Sequence, residues 1–260
     1  MAETAAHDGI VAVSLRGSLA LFGDARSAPR GLSSRALATA AGAAIERLTN
    51  RTVPVLYARQ EHTRLAFSFS AVEPLPAGPH LVGTCDAMLT AEPWFALAVR
   101  TADCLPIALA GGGAVAMVHA GWRGLAADVL GTVVGRMRSE FGVSPALLRA
   151  VVGVGVGPCH YRVGEEVVAA LARHPVEEDT WRGDGAVDLA RWASGRLLAL
   201  GIPADGVQVL PGCTACSPLY HSHRRDGRHA GRQWSAVLIT SASPNTASIQ
   251  LPRTRTLLRL

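Results

Sequence analysis

Two apolar runs, Cys104 to Leu109 and Ala114 to His119, are separated only by Ala110 and the glycines Gly111, Gly112 and Gly113. Runs of strand length joined by a glycine-rich link predict a β-hairpin. A hairpin centred on that link places Cys104 opposite His119, and directly opposed antiparallel residues have Cβ atoms about 5 Å apart. A thiolate and an imidazole at that spacing reach one metal ion at about 2.3 and about 2.1 Å. A slip of one residue in register sends one of the two side chains to the other face.

Strand-like runs also occur at Ile10 to Leu15, Val53 to Tyr57, Phe95 to Val99, Leu148 to Val154, Val207 to Leu210 and Trp234 to Thr240. Helical spacing appears between them. Ser34 to Leu48 is alanine-rich, and Gly124 to Phe141 places Leu125, Val129, Val133 and Met137 on one face. Val163, Val167 and Leu171 mark a third helix, and Leu189, Trp192, Leu197 and Leu200 a fourth, with Asp188 as its N-cap. Several strands follow one another directly, so the regular alternation of a doubly wound sheet is missing. The fold class expected is α+β, a mixed-sheet layered sandwich. No linker interrupts the 260 residues, which read as one domain with a partly disordered tail at 241–260.

Roughly half the chain is apolar, 49%, enough for a substantial core. The N-terminus carries Glu3, His7 and Asp8 before its first apolar stretch, the wrong order for a secretory signal. Trp94 to Ala120 is interrupted by Arg100, Asp103 and the glycine triplet, so it lacks the roughly 20 apolar residues of a membrane span. Five scattered cysteines fit reduced thiols better than a disulfide framework, and the expected compartment is the cytoplasm. The net charge of +5 comes from arginine, with no lysine, and suits an anionic substrate or simply codon bias. The run His223, Arg224, Arg225, Arg228, His229 lacks interleaved aromatics, so no nucleic-acid partner is inferred. Nothing in the sequence specifies an oligomeric state.

The hairpin ends in HAGWRGL, His119 to Leu125, where a strand gives way to a helix near Arg123 or Gly124. Helix N-terminal amides, close approach at Gly121 and Gly124, and the Arg123 guanidinium make this junction a candidate anion site. On the alternative reading Trp122 and Arg123 only stack and cap the helix start.

TADCLPI (Thr101 to Ile107) and HAGWRG (His119 to Gly124) resemble the signature of the laccase-domain family. Its members are labelled polyphenol oxidases, purine nucleoside phosphorylases or peptidoglycan editing factors. QEH (Gln60 to His62), the GPC ending at Cys159, VGEEV (Val163 to Val167), Cys213 with Thr214, HSHRRDG (His221 to Gly227) and GRQ (Gly231 to Gln233) extend the likeness over most of the chain. The resemblance implies an α-β-β-α layered domain and a zinc held by His62, Cys104 and His119, the catalytic centre. Three protein ligands leave a fourth position open, the pattern of catalytic zinc. It further implies phosphorolysis of adenosine, inosine, guanosine and methylthioadenosine, with purine nucleoside and phosphate as partners and adenosine deamination as a companion activity.

In HSHRRDG, Arg224 or Arg225 is a candidate for holding phosphate or substrate; the competing reading is a solvated turn with Arg225 paired to Asp226. Asp103 adjoins a ligand, but in a strand its side chain points away from Cys104. The chain departs from the family's usual pattern where Ala20 and Ser34 replace two asparagines, presumed pocket or support positions, and where His160 stands in place of a small loop. Copper is named in the family's labels, yet nine histidines with one H-x-H pair, His221 and His223, do not fill the sites of a multicopper oxidase. Cys213 and Cys216 form a single C-x-x-C, a candidate metal or redox pair or simply buried thiols. Two alternatives to phosphorolysis stand: amidase-like hydrolysis with Cys104 as nucleophile and His119 as base, and a non-catalytic zinc-binding module.

Overall fold

The computed structural model describes residues 4–71 and 75–240, so the tail expected at 241–260 lies outside the described residues. The strands are β1 Thr4–His7, β2 Ile10–Leu15, β3 Ser18–Gly23, β4 Pro54–Arg59, β5 Ala66–Phe69, β6 Gly78–Thr84, β7 Ala87–Thr90, β8 Ala96–Thr101, β9 Leu105–Gly111, β10 Ala114–Ala120, β11 Arg149–Val152, β12 Val207–Val209 and β13 Gln233–Ile239. The helices are α1 Ser34–Thr49, α2 Trp122–Ala126, α3 Val129–Phe141, α4 Glu165–Leu171, α5 Leu189–Ala199 and α6 His223–Asp226.

The strands form a seven-stranded sheet, ordered β1-β2-β3-β13-β8-β4-β6, and a six-stranded sheet, ordered β12-β11-β9-β10-β7-β5. Both are mixed: β4 runs parallel to β6 and β8, β5 to β7, and β11 to β12. Val13, Leu97 and Val237 from one sheet meet Met88, Val115, Met117 and Val151 from the other in an apolar layer between the two. Leu37, Ala41 and Ile45 of α1 cover the outer face of the first sheet. Leu130, Val133 and Met137 of α3, with Trp192 and Leu197 of α5, cover the outer face of the second. This is the α-β-β-α sandwich expected from the sequence. The layering also explains the hairpin's composition: Ile107, Leu109, Ala116 and Val118 face the helices while Ala108, Ala110, Val115 and Met117 face the other sheet. A strand buried on both faces reads as an uninterrupted apolar run.

The hairpin register differs from the one expected. Gly111 pairs with Ala114 and Pro106 with His119, so Cys104 falls just beyond the ladder, past the Leu105–Ala120 pair. The link is shorter than four residues because Gly112 and Gly113 alone make the turn, with φ 57° and 82°, the left-handed pair of a two-residue type I′ turn. A displacement of two positions preserves the face, so Cys104 and His119 still share one side.

The helix expected over Gly124 to Phe141 is broken into α2 and α3. Asp128 takes a left-handed conformation, φ 64°, and its carboxylate accepts from the Gly131 amide at 3.1 Å. It therefore ends one helix and caps the next. Asp188 caps α5 as expected, accepting from the Arg191 amide. β1, β3, β5, β6 and β7 were not expected. β6 carries Pro79 and lies at a sheet edge, where proline costs no ladder bond; β7 is a four-residue, fully buried strand, too short to show a period.

Candidate active site

His62 follows β4 in a left-handed conformation, φ 60°, Cys104 precedes β9, and His119 is the penultimate residue of β10. Their ligating atoms lie within 4.8 Å of one another. The Cys104 Sγ to His62 Nε2 distance is 3.6 Å, and the two imidazoles meet edge to face with centroids 4.8 Å apart. A tetrahedral zinc bound at about 2.3 Å to sulfur and about 2.1 Å to nitrogen separates those two atoms by about 3.6 Å. The donor set therefore fits such an ion. The floor beneath it is Gly121, where a Cβ would stand 2.7 Å from His62 Cδ2 and 2.9 Å from Cys104 Sγ.

One buried carboxylate organises this set. Asp86, 1% exposed, stands between β6 and β7 and lies 2.8 Å from His119 Nδ1. It also accepts from the backbone amide of His62 at 3.0 Å and from the amide and hydroxyl of Thr63, each at 2.7 Å. Burial pushes the Asp86 carboxyl up, but the bonds from His119 and Thr63 outweigh it and bring it to about 2. Asp86 is thus ionised, His119 Nδ1 is the donor, and Nε2 is the nitrogen left for the site. Burial also opposes the charges of Cys104 and His119. Hydrogen bonds and charge from His119 and His62 nevertheless bring Cys104 down to about 6, and the bonds to Asp86 and Cys104 carry His119 up to about 9. At neutral pH the protein alone holds the cysteine as thiolate, the form that binds metal.

These residues open onto a cavity of about 500 Å³, lined also by Arg100, Arg123, Arg224, Arg232, Trp122, Tyr161 and Asp103. Four arginines thus face a single carboxylate among the lining residues. That carboxylate is engaged: Asp103 accepts from the Thr214 hydroxyl at 2.6 Å and from the Arg224 amide at 2.5 Å. The cavity is built to receive negative charge.

Residues 33–240 of the 260 match the family model described as multi-copper polyphenol oxidoreductase laccase. The chain belongs to this family. It is 41% identical over 166 residues to a purine nucleoside phosphorylase of Xylella fastidiosa, a match spanning 58% of this chain and 61% of that protein. A Streptomyces coelicolor protein named purine nucleoside phosphorylase is 41% identical over 173 residues, 63% of this chain and 69% of its own. Among solved structures, the Bacillus licheniformis hypothetical protein YfiH superposes with a TM-score of 0.79 at 23% identity, over 90% of this chain and 97% of that one. YlmD from Geobacillus stearothermophilus gives 0.72 at 24% identity, over 87% and 93%. The fold is therefore shared with these two proteins.

Within this laccase-family scaffold the six residues singled out beyond Cys104 fall into two groups. His62, His119, Arg123 and Arg224 line the cavity; Arg123 stacks 4.5 Å over Trp122, and Arg224 lies 5.6 Å over Tyr161 while donating to the His160 carbonyl at 2.9 Å. Gly124 and Arg225 do not reach it. A Cβ on Gly124 would stand 3.0 Å from the Thr63 carbonyl, so its lack of a side chain seats the His62 loop on α2. Arg225 donates to the carbonyls of Thr214, Ser217 and Tyr220 and pairs with Asp226 at 2.9 Å, which spends its donors on the loop. His221 is also structural, buried with Nε2 2.6 Å from the Ala28 carbonyl. Ala20 sits in the core between the sheets.

Asp103 departs from the strand geometry expected of it. Its φ of 89° takes it out of extended conformation, so its side chain joins the cavity wall. Asp86, Arg100, Arg232 and Tyr161 were not foreseen as site residues. The available signal for Asp86 was a lone carboxylate opening the apolar run Ala87-Met88-Leu89, since a buried charge implies a partner.

Proposed function

We propose that this chain is a zinc-dependent purine nucleoside phosphorylase acting on adenosine, inosine, guanosine and methylthioadenosine, with His62, Cys104 and His119 as the metal ligands. The observation that carries this reading is the three-donor cluster opening directly onto an arginine-ringed cavity of about 500 Å³. The names of the Xylella and Streptomyces relatives supply the reaction class. One thiolate with two imidazoles suits zinc, and among the described residues no set of histidines matches the copper sites that the family label names.

A bound zinc would supply Lewis acidity toward a substrate or phosphate oxygen. The chain's own residues do the rest. Arg123 and Arg224, with Arg100 and Arg232, hold inorganic phosphate through charge-assisted bonds. Arg100 is suited to this because its Nε is buried with no partner among the described residues, a donor that an anion would satisfy. Trp122 and Tyr161 offer flat faces for the purine. Burial raises the Tyr161 phenol to about 12, so it stays protonated and donates. A phosphate oxygen attacks the ribose anomeric carbon, the glycosidic bond breaks, and the purine departs with the proton that hydrogen phosphate gives up, leaving ribose 1-phosphate. Proximity and orientation of phosphate carry the rate.

None of the five cysteines forms a disulfide, which suits a reducing compartment, and we place the activity in the cytoplasm. No helix among the described residues is long and apolar enough to cross a membrane. The test is release of purine base from adenosine and inosine with and without phosphate, by wild type and Cys104→Ala. The expected result is phosphate-dependent release that drops at least about 100-fold in the variant. Equal turnover by the two proteins would sink the reading, and phosphate-independent release would convert it to hydrolysis. Ammonia release from adenosine in the same assay reads out the companion deamination.

A further inference from the structure

Beside the cavity stands a second cluster that the proposed reaction does not use. Cys159 and His160, in the loop after β11, meet Cys213 and Cys216, in the loop after β12, with all four potential ligand atoms within 4.8 Å of one another. Cys159 Sγ lies 3.3 Å from Cys216 Sγ. His160 Nδ1 lies 3.4 Å from Cys159 Sγ, 3.3 Å from Cys216 Sγ and 4.0 Å from Cys213 Sγ. A tetrahedral zinc with three sulfurs at about 2.3 Å and one nitrogen at about 2.1 Å sets sulfur–sulfur separations near about 3.8 Å and sulfur–nitrogen separations near about 3.6 Å. The observed sulfur–nitrogen distances bracket their value, and the Cys159–Cys216 sulfur pair at 3.3 Å is somewhat closer than its own. A disulfide needs sulfurs about 2.0 Å apart, and leaves the third thiol and the imidazole without a role.

Two further observations point to a thiolate-metal knuckle. The Gly157 amide donates to Cys213 Sγ at 3.1 Å. Backbone N–H groups aimed at a sulfur favour its thiolate. Gly157 also lets the two loops approach, since a Cβ there would lie 3.2 Å from Cys213 Cβ, tighter than ordinary contact.

We propose that Cys159, His160, Cys213 and Cys216 form a closed, structural zinc site. Four protein ligands leave no open position, in contrast with the three at His62, Cys104 and His119. Its role is to staple together two loops that wall the cavity. The first carries Tyr161 and the carbonyl of His160 that anchors Arg224; the second carries Thr214, which holds Asp103. The sequence offered only the C-x-x-C, because the other two ligands arrive from more than fifty residues away.

The assignment stands or falls apart from the proposed reaction, because it is read by metal content. Zinc per chain is measured by elemental mass spectrometry in wild type, Cys104→Ala, and Cys104→Ala/Cys216→Ser. Cys104→Ala is expected to keep one tightly held zinc and the double variant none. Cobalt loaded into Cys104→Ala is expected to give the intense thiolate-to-metal absorption of a tetrahedral three-sulfur site. Should the double variant fail to fold, alkylation of the zinc-loaded wild type decides: the exposed Cys159 and Cys216 resist until zinc is chelated. No zinc in Cys104→Ala, equal zinc in the two variants, a Cys159–Cys216 disulfide in the purified protein, or alkylation indifferent to chelation would each overturn the site.

Discussion

Asp86 shows how much one side chain can settle. Its two oxygens fix the ring of His119 and the backbone of His62 and Thr63, so both histidines are oriented by a residue that need not touch the metal. Replacing it with asparagine keeps the shape but removes the charge that raises His119 and selects its Nδ1 proton. Asp86→Asn is expected to weaken zinc binding about 10- to 100-fold, measured by competition with a chromophoric chelator. Unchanged affinity would show that the carboxylate only closes the loop. Legibility at this scale was uneven. Hairpin geometry put Cys104 and His119 on one side but in a pairing two positions off, and His62 came only through the QEH resemblance, whereas Asp86 bonds to His119 across 33 residues of sequence.

At the scale of elements, the break between α2 and α3 matters most for the site. Asp128 in left-handed conformation turns the chain so that Trp122 and Arg123 stand at the cavity while α3 lies on the sheet. The Arg196 guanidinium of α5 grips the same carboxylate at 2.9 and 2.7 Å, which ties two helices to the break. Asp128→Ala loses the cap and the ion pair and places a β-carbon residue without a polar tether in the left-handed region. It is expected to lower stability by about 2–4 kcal/mol in denaturant unfolding. Asp128→Asn, which keeps the cap and tolerates the conformation, is expected to lose less than half of that. A loss below about 0.5 kcal/mol in Asp128→Ala would mean the helix break is held by packing alone. Hydrophobic spacing ran through this break because Asp128 lies off the stripe formed by Leu125, Val129, Val133 and Met137.

Across the molecule, the layering buries Asp86 and half-buries Asp128, and in both places a partner favours the charged form. Asp86 is held at about 2, below the ordinary carboxylate value of 3.8. Burial likewise raises Asp128, and the bonds and charge of Arg196 reverse it to a net lowering. A depressed folded-state pKa contributes stability that is complete above the unfolded value and is lost as pH falls through the folded one. Stability is therefore expected to fall between about pH 4 and about pH 2, with Asp86 accounting for something on the order of 2 kcal/mol. Unfolding of wild type and Asp86→Asn over that range checks it: the gap between them closes as pH drops. A gap that stays constant would remove Asp86 from the acid response.

By itself the sequence determined the layered α+β class, the hairpin, four helical faces, and a motif series specific enough to name the three metal-ligand candidates. Those are local properties, because apolar periodicity reports which face of an element is covered and glycines report where the chain must turn. Only the tertiary structure decided the two-residue shift in hairpin register, the ionised Asp86 behind both histidines, the convergence of Arg100 and Arg232 with Arg123 and Arg224, and the retirement of Gly124 and Arg225 to structural work. It also joined Cys159 and His160 to Cys213 and Cys216. The physical reason is the same in each case: sheet order and loop closure bring together groups far apart in the chain, and residue spacing along one element carries no trace of a partner on another.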